Sequence, residues 1–162
     1  MAVHQTTASI IVGGDPTRAF EAWSGYDRFP EFMPHVVSVR RTGERTSHWT
    51  ARGPLGRTVE WDAEITRLER DKRIAWASSH DGAFKTSGQV TFNALPGGQT
   101  EVTLVFQYAT SAAREAIARA LSDLERVVRE DLRSFKAHVE SRGASDTPLG
   151  IQGPLTKGAA SR

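Results

Sequence analysis

The hydrophobic pattern of this chain changes period once, and that change constrains the fold more than any motif. From Val36 to Tyr108 apolar and polar residues largely alternate. From Ile117 to Val139 the apolar residues Ile117, Leu121, Leu124, Val128, Leu132, Phe135 and Val139 recur three or four positions apart. Alternation is the signature of strands with one face buried, and the second spacing is that of one apolar helix stripe. The clearest strand places Val59, Trp61, Ala63 and Ile65 on one face and Glu60, Asp62, Glu64 and Thr66 on the other. Val37 with Val39, Trp49 with Ala51, Ile74 with Trp76, Val90 with Phe92 and Ala94, and Val102 with Leu104, Phe106 and Tyr108 follow the same rule. Short turns at Gly43-Glu44, 53–56, Asp71-Lys72, 80–82 and Pro96-Gly97-Gly98 make sequence neighbours into sheet neighbours. One apolar face and one polar face, strand after strand, describe an antiparallel sheet wetted on one side. A helix of about 30 residues, roughly 45 Å long, then has one partner for its stripe, the apolar face of that sheet.

The N-terminal part adds one strand and two short helical pieces. Thr6–Val12 is β-branched and reads as a strand broken by Gly13-Gly14. Asp15 caps a helix that Pro16 begins and Gly25 stops, burying Ala19, Phe20 and Trp23. Residues 26–33 form a second helical piece interrupted by Pro30. The predicted architecture is α+β: a curved seven-stranded antiparallel sheet wrapped around a long C-terminal helix, with two short helices after the first strand. Gly143 is the expected helix end, giving a domain over residues 1–142 and a flexible tail rich in Gly, Pro and Ser over 143–162.

Composition narrows the function classes. With 162 residues, 38% hydrophobic and 25% charged, the chain suits one globular domain. Without cysteine, disulfides and thiolate metal sites are excluded. The net charge is +2 although the pI is about 9.3, because arginines outnumber lysines. Acids interleave the basic residues, as in Glu125, Arg126, Arg129 and Glu130, so no nucleic-acid footprint is expected. No run approaches the roughly 20 apolar residues of a membrane span, and residues 1–5 lack signal-peptide character; the expectation is a cytoplasmic protein. Nothing in the sequence sets an oligomeric state.

The candidate site is a cavity between sheet and helix. Trp49, Trp61, Trp76, Phe92, Phe106 and Tyr108 share the inner face, Phe29, Phe32 and Met33 border it, and Ile117, Leu121 and Leu124 face it from the helix. Each aromatic alone reads as core; together they suit an apolar pocket for a ring-bearing ligand. Arg52 and Arg57, flanking a turn, are candidate contacts for an acidic head group. Among the histidines, His48 has outward parity, His138 follows the polar side of the helix, and His4, His35 and His80 read as surface or loop residues. His35 is the weak candidate for an acid or base, because it follows the Phe32-Met33-Pro34 segment at the cavity mouth. Glu60, Asp62 and Glu64 cluster, but on the outer face. No metal-ligand spacing, phosphate loop or GxSxG nucleophile elbow is present, so no metal and no cofactor are expected.

Several segments in order resemble one family. They are Asp15-Pro16 with Phe20 and Trp23; 29–34, Phe-Pro-Glu-Phe-Met-Pro; Ser47-His48-Trp49 with Gly53-Pro54; 60–65, Glu-Trp-Asp-Ala-Glu-Ile; Ile74-Ala75-Trp76; Gly88 with Val90 and Phe92; and Gly98 with Thr100, Glu101 and Val102. Across about residues 4–141 the chain resembles the helix-grip fold of the START-related (SRPBCC) superfamily, and within it the polyketide cyclase/dehydrase and lipid-transport family. The resemblance implies binding of a lipid, quinone or polyketide-like aromatic. It leaves open a cyclase or dehydratase working on a polyketide chain, a coenzyme Q-binding chaperone, and a regulatory module whose tail meets a partner.

Overall fold

The computed structural model describes residues 2–52, 58–79, 85–110 and 114–146, with side chains for a slightly smaller set. Seven strands, β1 (Ala2–Gly13), β2 (Val36–Arg41), β3 (Thr46–Arg52), β4 (Thr58–Glu69), β5 (Arg73–Ser78), β6 (Lys85–Leu95) and β7 (Gln99–Thr110), form one antiparallel sheet in the order β1-β7-β6-β5-β4-β3-β2. Between β1 and β2 lie helix α1 (Pro16–Ser24) and a 3₁₀ helix, Tyr26–Glu31. The C-terminal helix α2 spans Arg114–Asp146. This curled sheet around a C-terminal helix is the α+β helix-grip architecture.

Local chemistry sets each boundary. The Asp15 carboxylate accepts the Arg18 N–H at 3.2 Å, and Pro16 occupies the first turn of α1, where its missing N–H leaves no helical bond unmade. The turn between β4 and β5 holds Asp71 at φ 62°, unusual for a residue with a Cβ; Thr17 donates to the Asp71 carboxylate at 2.9 Å and helps hold it. Gly97 and Gly98, both at positive φ, close the β6–β7 hairpin.

The stripe of α2 buries Val128, Leu132, Phe135 and Val139, all at most 6% exposed, against Val12, Trp23 and the inner face of the sheet. Burial of each contributes about 1.5–3 kcal/mol. A polar clasp joins the helix to β1, an edge strand. Lys136 Nζ donates to the Ile11 carbonyl at 2.7 Å and to Glu140 at 2.9 Å, and Glu140 accepts the Gly13 N–H at 2.8 Å. These side chains occupy backbone groups that β1 would otherwise offer to another strand.

Three expectations are corrected. α2 continues three residues past Gly143, to Asp146, because one helical glycine costs only about 1 kcal/mol against alanine and does not by itself stop a helix. Val37 is 45% exposed, because a bulge between Val36 and Ser38 reverses the parity; Val36 and Val39 are the inward residues of β2. His4 is an inner-face strand residue rather than a surface or loop one: β1 begins earlier than Thr6, and His4 shares the parity of the buried Thr6 and Val12. The tail beyond 146 lies outside the described residues.

Candidate functional site

A cavity of about 430 Å³ lies between the sheet and α2, within the range of about 300–1,000 Å³ usual for small-molecule sites. Its floor is the inner face of β3, β4, β5 and β7: Trp49 and Ala51, then Val59, Trp61, Ala63 and Ile65, then Ile74 and Trp76, then Leu104, Phe106 and Tyr108. Its roof includes Val127, Val128 and Leu132 of α2, and one side is closed by Trp23, Tyr26, Phe29 and Met33.

The aromatic residues form two stacked walls. Tyr26, Trp49 and Trp61 stack successively, at centroid distances of 5.8 and 5.9 Å and interplanar angles of 20° and 11°. Trp49 and Trp61 are direct partners across β3 and β4, so the pleat aligns their rings. Arg41 ends this stack: its guanidinium lies 4.3 Å from the Tyr26 ring centre while bonding Asp27 at 2.9 Å. The Trp49 indole N–H is satisfied by Ser47 Oγ at 2.8 Å, so the ring needs no polar partner from the cavity. Trp76 stacks on Trp23 at 6.3 Å and lies over Gly88, its direct partner on β6. A Cβ at Gly88 would stand 2.5 Å from the Trp76 ring. The glycine therefore seats the indole flat against the sheet.

Among the described residues, the charged residues of the lining are Arg52, Glu64, Arg126 and Asp131, joined by His35. His35 Nδ1 and Asp131 Oδ1 are 3.2 Å apart, with both side chains more than four-fifths buried. His35 Nε2 lies 3.7 Å from Glu130. The His35 carbonyl accepts the Arg52 N–H at 2.8 Å, which fixes the turn before β2 to the end of β3. Burial pushes the Asp131 carboxyl above the usual carboxylate range, and the His35 hydrogen bond opposes that rise. Burial likewise raises the Tyr108 phenol. A carboxyl held toward its neutral form beside an imidazole can give and take protons within an apolar cavity.

Of the residues the sequence singles out, Phe29, Met33, His35, Trp49, Arg52, Trp61, Trp76, Phe106 and Tyr108 line this cavity. Phe92 and Phe32 do not. Phe92 has inward parity but packs edge-on against Phe20 of α1 at 5.8 Å and is 3% exposed, so it belongs to the core. Phe32 follows the 3₁₀ helix, packs edge-on against Phe29, and stacks on His138 at 3.9 Å and 8°. His138, on the polar side of the helix, therefore packs one face against an aromatic ring. Arg57 and the side chains of Ile117, Leu121 and Leu124 lie outside the described residues, as does His80. His48 faces outward, 2.9 Å from Glu60 and 2.8 Å from Asp62, which together raise its pKa; Glu60 and Asp62 are thereby surface residues, whereas Glu64 of the same strand reaches the cavity lining. Asp131 carried no sequence signal beyond its place beside Leu132 at the flank of the helix stripe. Trp23 and Tyr26 were legible only as aromatic residues of the short helices.

Among the described residues, no helix is long and apolar enough to cross a membrane, and no cluster of His, Asp and Glu is arranged to hold a metal ion. A curled antiparallel sheet gripping a C-terminal helix, with an apolar cavity at their junction, defines a START-like helix-grip protein. More specifically, the chain belongs to the polyketide cyclase / dehydrase and lipid transport family, whose model matches residues 12–137. An uncharacterized protein of Streptomyces lincolnensis is 32% identical over 135 residues, covering 83% of this chain and 89% of that protein. A Streptomyces aromatase/cyclase of solved structure shares the fold with a TM-score of 0.72 at 17% identity, covering 88% of this chain and 96% of the other. A START superfamily protein of Mycobacterium smegmatis matches with a TM-score of 0.74 at 10% identity, covering 86% of this chain and 99% of the other.

Proposed function

We propose that this protein binds a hydrophobic small molecule, of the lipid, quinone or polyketide-like aromatic class, in the cavity between the sheet and α2. The observation that carries this reading is the cavity of about 430 Å³ walled by stacked aromatic rings. Flat indole faces and aliphatic side chains favour ring or chain hydrocarbon over water. Family membership supports the same class of ligand. The test is binding of 8-anilinonaphthalene-1-sulfonate to the folded protein and to Trp61→Ala and Phe106→Ala. Both substitutions enlarge the cavity and remove ring contacts, so affinity falls while cooperative unfolding persists. Equal affinity in the folded fraction of each variant would count against the reading.

A second reading, a cyclase or dehydratase acting on a poly-carbonyl chain, is favoured by one observation. His35 and Asp131 meet at 3.2 Å in the lining of an otherwise apolar cavity. Confinement of a flexible chain supplies orientation, and the pair supplies a proton donor and acceptor for enolisation or loss of water. On this reading Asp131→Asn and His35→Gln reduce turnover of a poly-β-ketone substrate by about 10²- to 10⁴-fold. Unchanged turnover in both would leave binding alone.

A further inference from the structure

Three polar side chains stand side by side on the inner face of the sheet near the start of β1. Tyr108 on β7 is the direct cross-strand partner of His4 on β1 and of Thr86 on β6. Direct partners project to the same face, and three adjacent strands place this row within about 10 Å. Tyr108 and Thr86 are each 4% exposed, and the His4 ring tilts against the Tyr108 ring at 5.3 Å. Tyr108 also lines the cavity. The row therefore adjoins the cavity through its middle member.

Two atoms in this row are unusual. The His4 Nε2 and the Thr86 Oγ1 are buried and have no hydrogen-bond partner among the described residues. The Thr86 N–H, by contrast, is satisfied by Ser78 Oγ at 2.9 Å, so it is the side chain and not the backbone that is left unmet. A buried polar atom without a partner costs about 1–3 kcal/mol. Valine would fill the Thr86 position and phenylalanine the His4 position without that penalty. Polar groups left unmet beside an apolar cavity are what a site needs in order to orient a ligand.

We propose that His4, Tyr108 and Thr86 form the polar end of the cavity and receive an uncharged oxygen, a hydroxyl or a carbonyl, of an otherwise apolar ligand. The row contains hydroxyl and imidazole groups and no lysine or arginine. A carboxylate would be desolvated there with no permanently charged partner in the row, whereas a neutral oxygen needs only hydrogen bonds. The imidazole can serve as donor or acceptor by choice of tautomer, so the row accepts either a hydroxyl or a carbonyl. This inference rests on the ligand-binding reading above and adds the polarity and charge of the ligand's buried end.

The test compares two probes of similar shape, 2-naphthol and 2-methylnaphthalene, by calorimetric titration of the full chain and of Thr86→Val, Tyr108→Phe and His4→Phe. The wild-type protein should prefer 2-naphthol by about five- to tenfold, the worth of one net hydrogen bond. That ratio should fall toward one in Thr86→Val and Tyr108→Phe. Denaturant unfolding of each variant accompanies the titration, and Thr86→Val should be no less stable than wild type because it removes a buried oxygen with no partner among the described residues. If 2-methylnaphthalene binds and the wild type shows no preference, or the preference survives in all three variants, the polar end is refuted while the cavity reading stands. If neither probe binds, both are refuted.

Discussion

Replacing Gly88 by alanine tests how closely the cavity floor is fitted. An ideal Cβ at this position lies 2.5 Å from Trp76 Cζ2, 2.8 Å from Cε2, and 3.0 Å from the Val105 carbonyl oxygen. Carbon atoms in contact prefer about 3.5–4.0 Å, so the indole must retreat by roughly 1 Å or more. The Val105 carbonyl belongs to β7 and cannot yield without disturbing the β6–β7 ladder. Trp76 therefore lifts off the sheet, into the cavity that it lines and against Trp23, on which it stacks. Overpacking of this kind costs about 1–3 kcal/mol. Two assays read it: urea unfolding, for the lost stability, and titration with 8-anilinonaphthalene-1-sulfonate, for the narrowed cavity. The double variant Gly88→Ala/Trp76→Phe should recover part of the loss, because the smaller ring frees the space the methyl needs; neighbouring sites couple by about 0.5–3 kcal/mol. Stability within 0.5 kcal/mol of wild type for Gly88→Ala, roughly the limit for an uneventful surface change, together with unaltered probe binding, would refute this account of the floor.

Other perturbations read other parts of the structure. Phe135 is fully buried and meets Trp23 edge-on at 5.0 Å, so Phe135→Ala should destabilise by about 3–5 kcal/mol in urea unfolding. Asp131 has a raised pKa in the folded protein, so the folded state holds its proton more tightly and stability falls as pH rises from the ordinary aspartate value through the raised one. Asp131→Asn removes that loss: its stability relative to wild type, measured by thermal unfolding, should increase from pH 3 upward and level off once Asp131 is ionised. Glu140 behaves in the opposite sense. The Lys136 and Gly13 hydrogen bonds depress its pKa, so its contribution is present above the ordinary glutamate value and lost as pH falls through the depressed one. Glu140→Gln should therefore be less stable than wild type at pH 7 and equal to it in acid, by a modest margin because the carboxylate is partly solvated.

The sheet was legible because its burial is one-sided. A strand wetted on one face must alternate, and β4 states this from Val59 to Ile65. The long helix was legible because a stripe at helical spacing has no other use in a chain of this size. What the pattern missed are places where position along an element outweighs parity. Phe92 faces inward but lies under α1, so it packs in the core instead of lining the cavity. Val37 alternates with Val39 in sequence, yet one bulge turns it outward. His35 was reachable from its place after the cavity-bordering segment. Asp131 was not, because a carboxylate beside an apolar stripe looks like any solvated flank until the partner histidine is placed against it from roughly 100 residues away in the chain. His4 is hidden for a simpler reason: the β-branched run starts at Thr6, four residues after β1 begins at Ala2, so its shared parity with Thr6 and Val12 does not show.

Retention of an apolar molecule by the aromatic-walled cavity is the central claim. Native mass spectrometry of the protein purified from its own host, followed by solvent extraction and mass analysis of what is released, tests it most directly. A defined apolar molecule is expected, bound one to one and lost from Trp61→Ala prepared in the same way. Protein that carries nothing, and that takes up neither lipids, quinones nor aromatic polyketides when they are supplied, would contradict it.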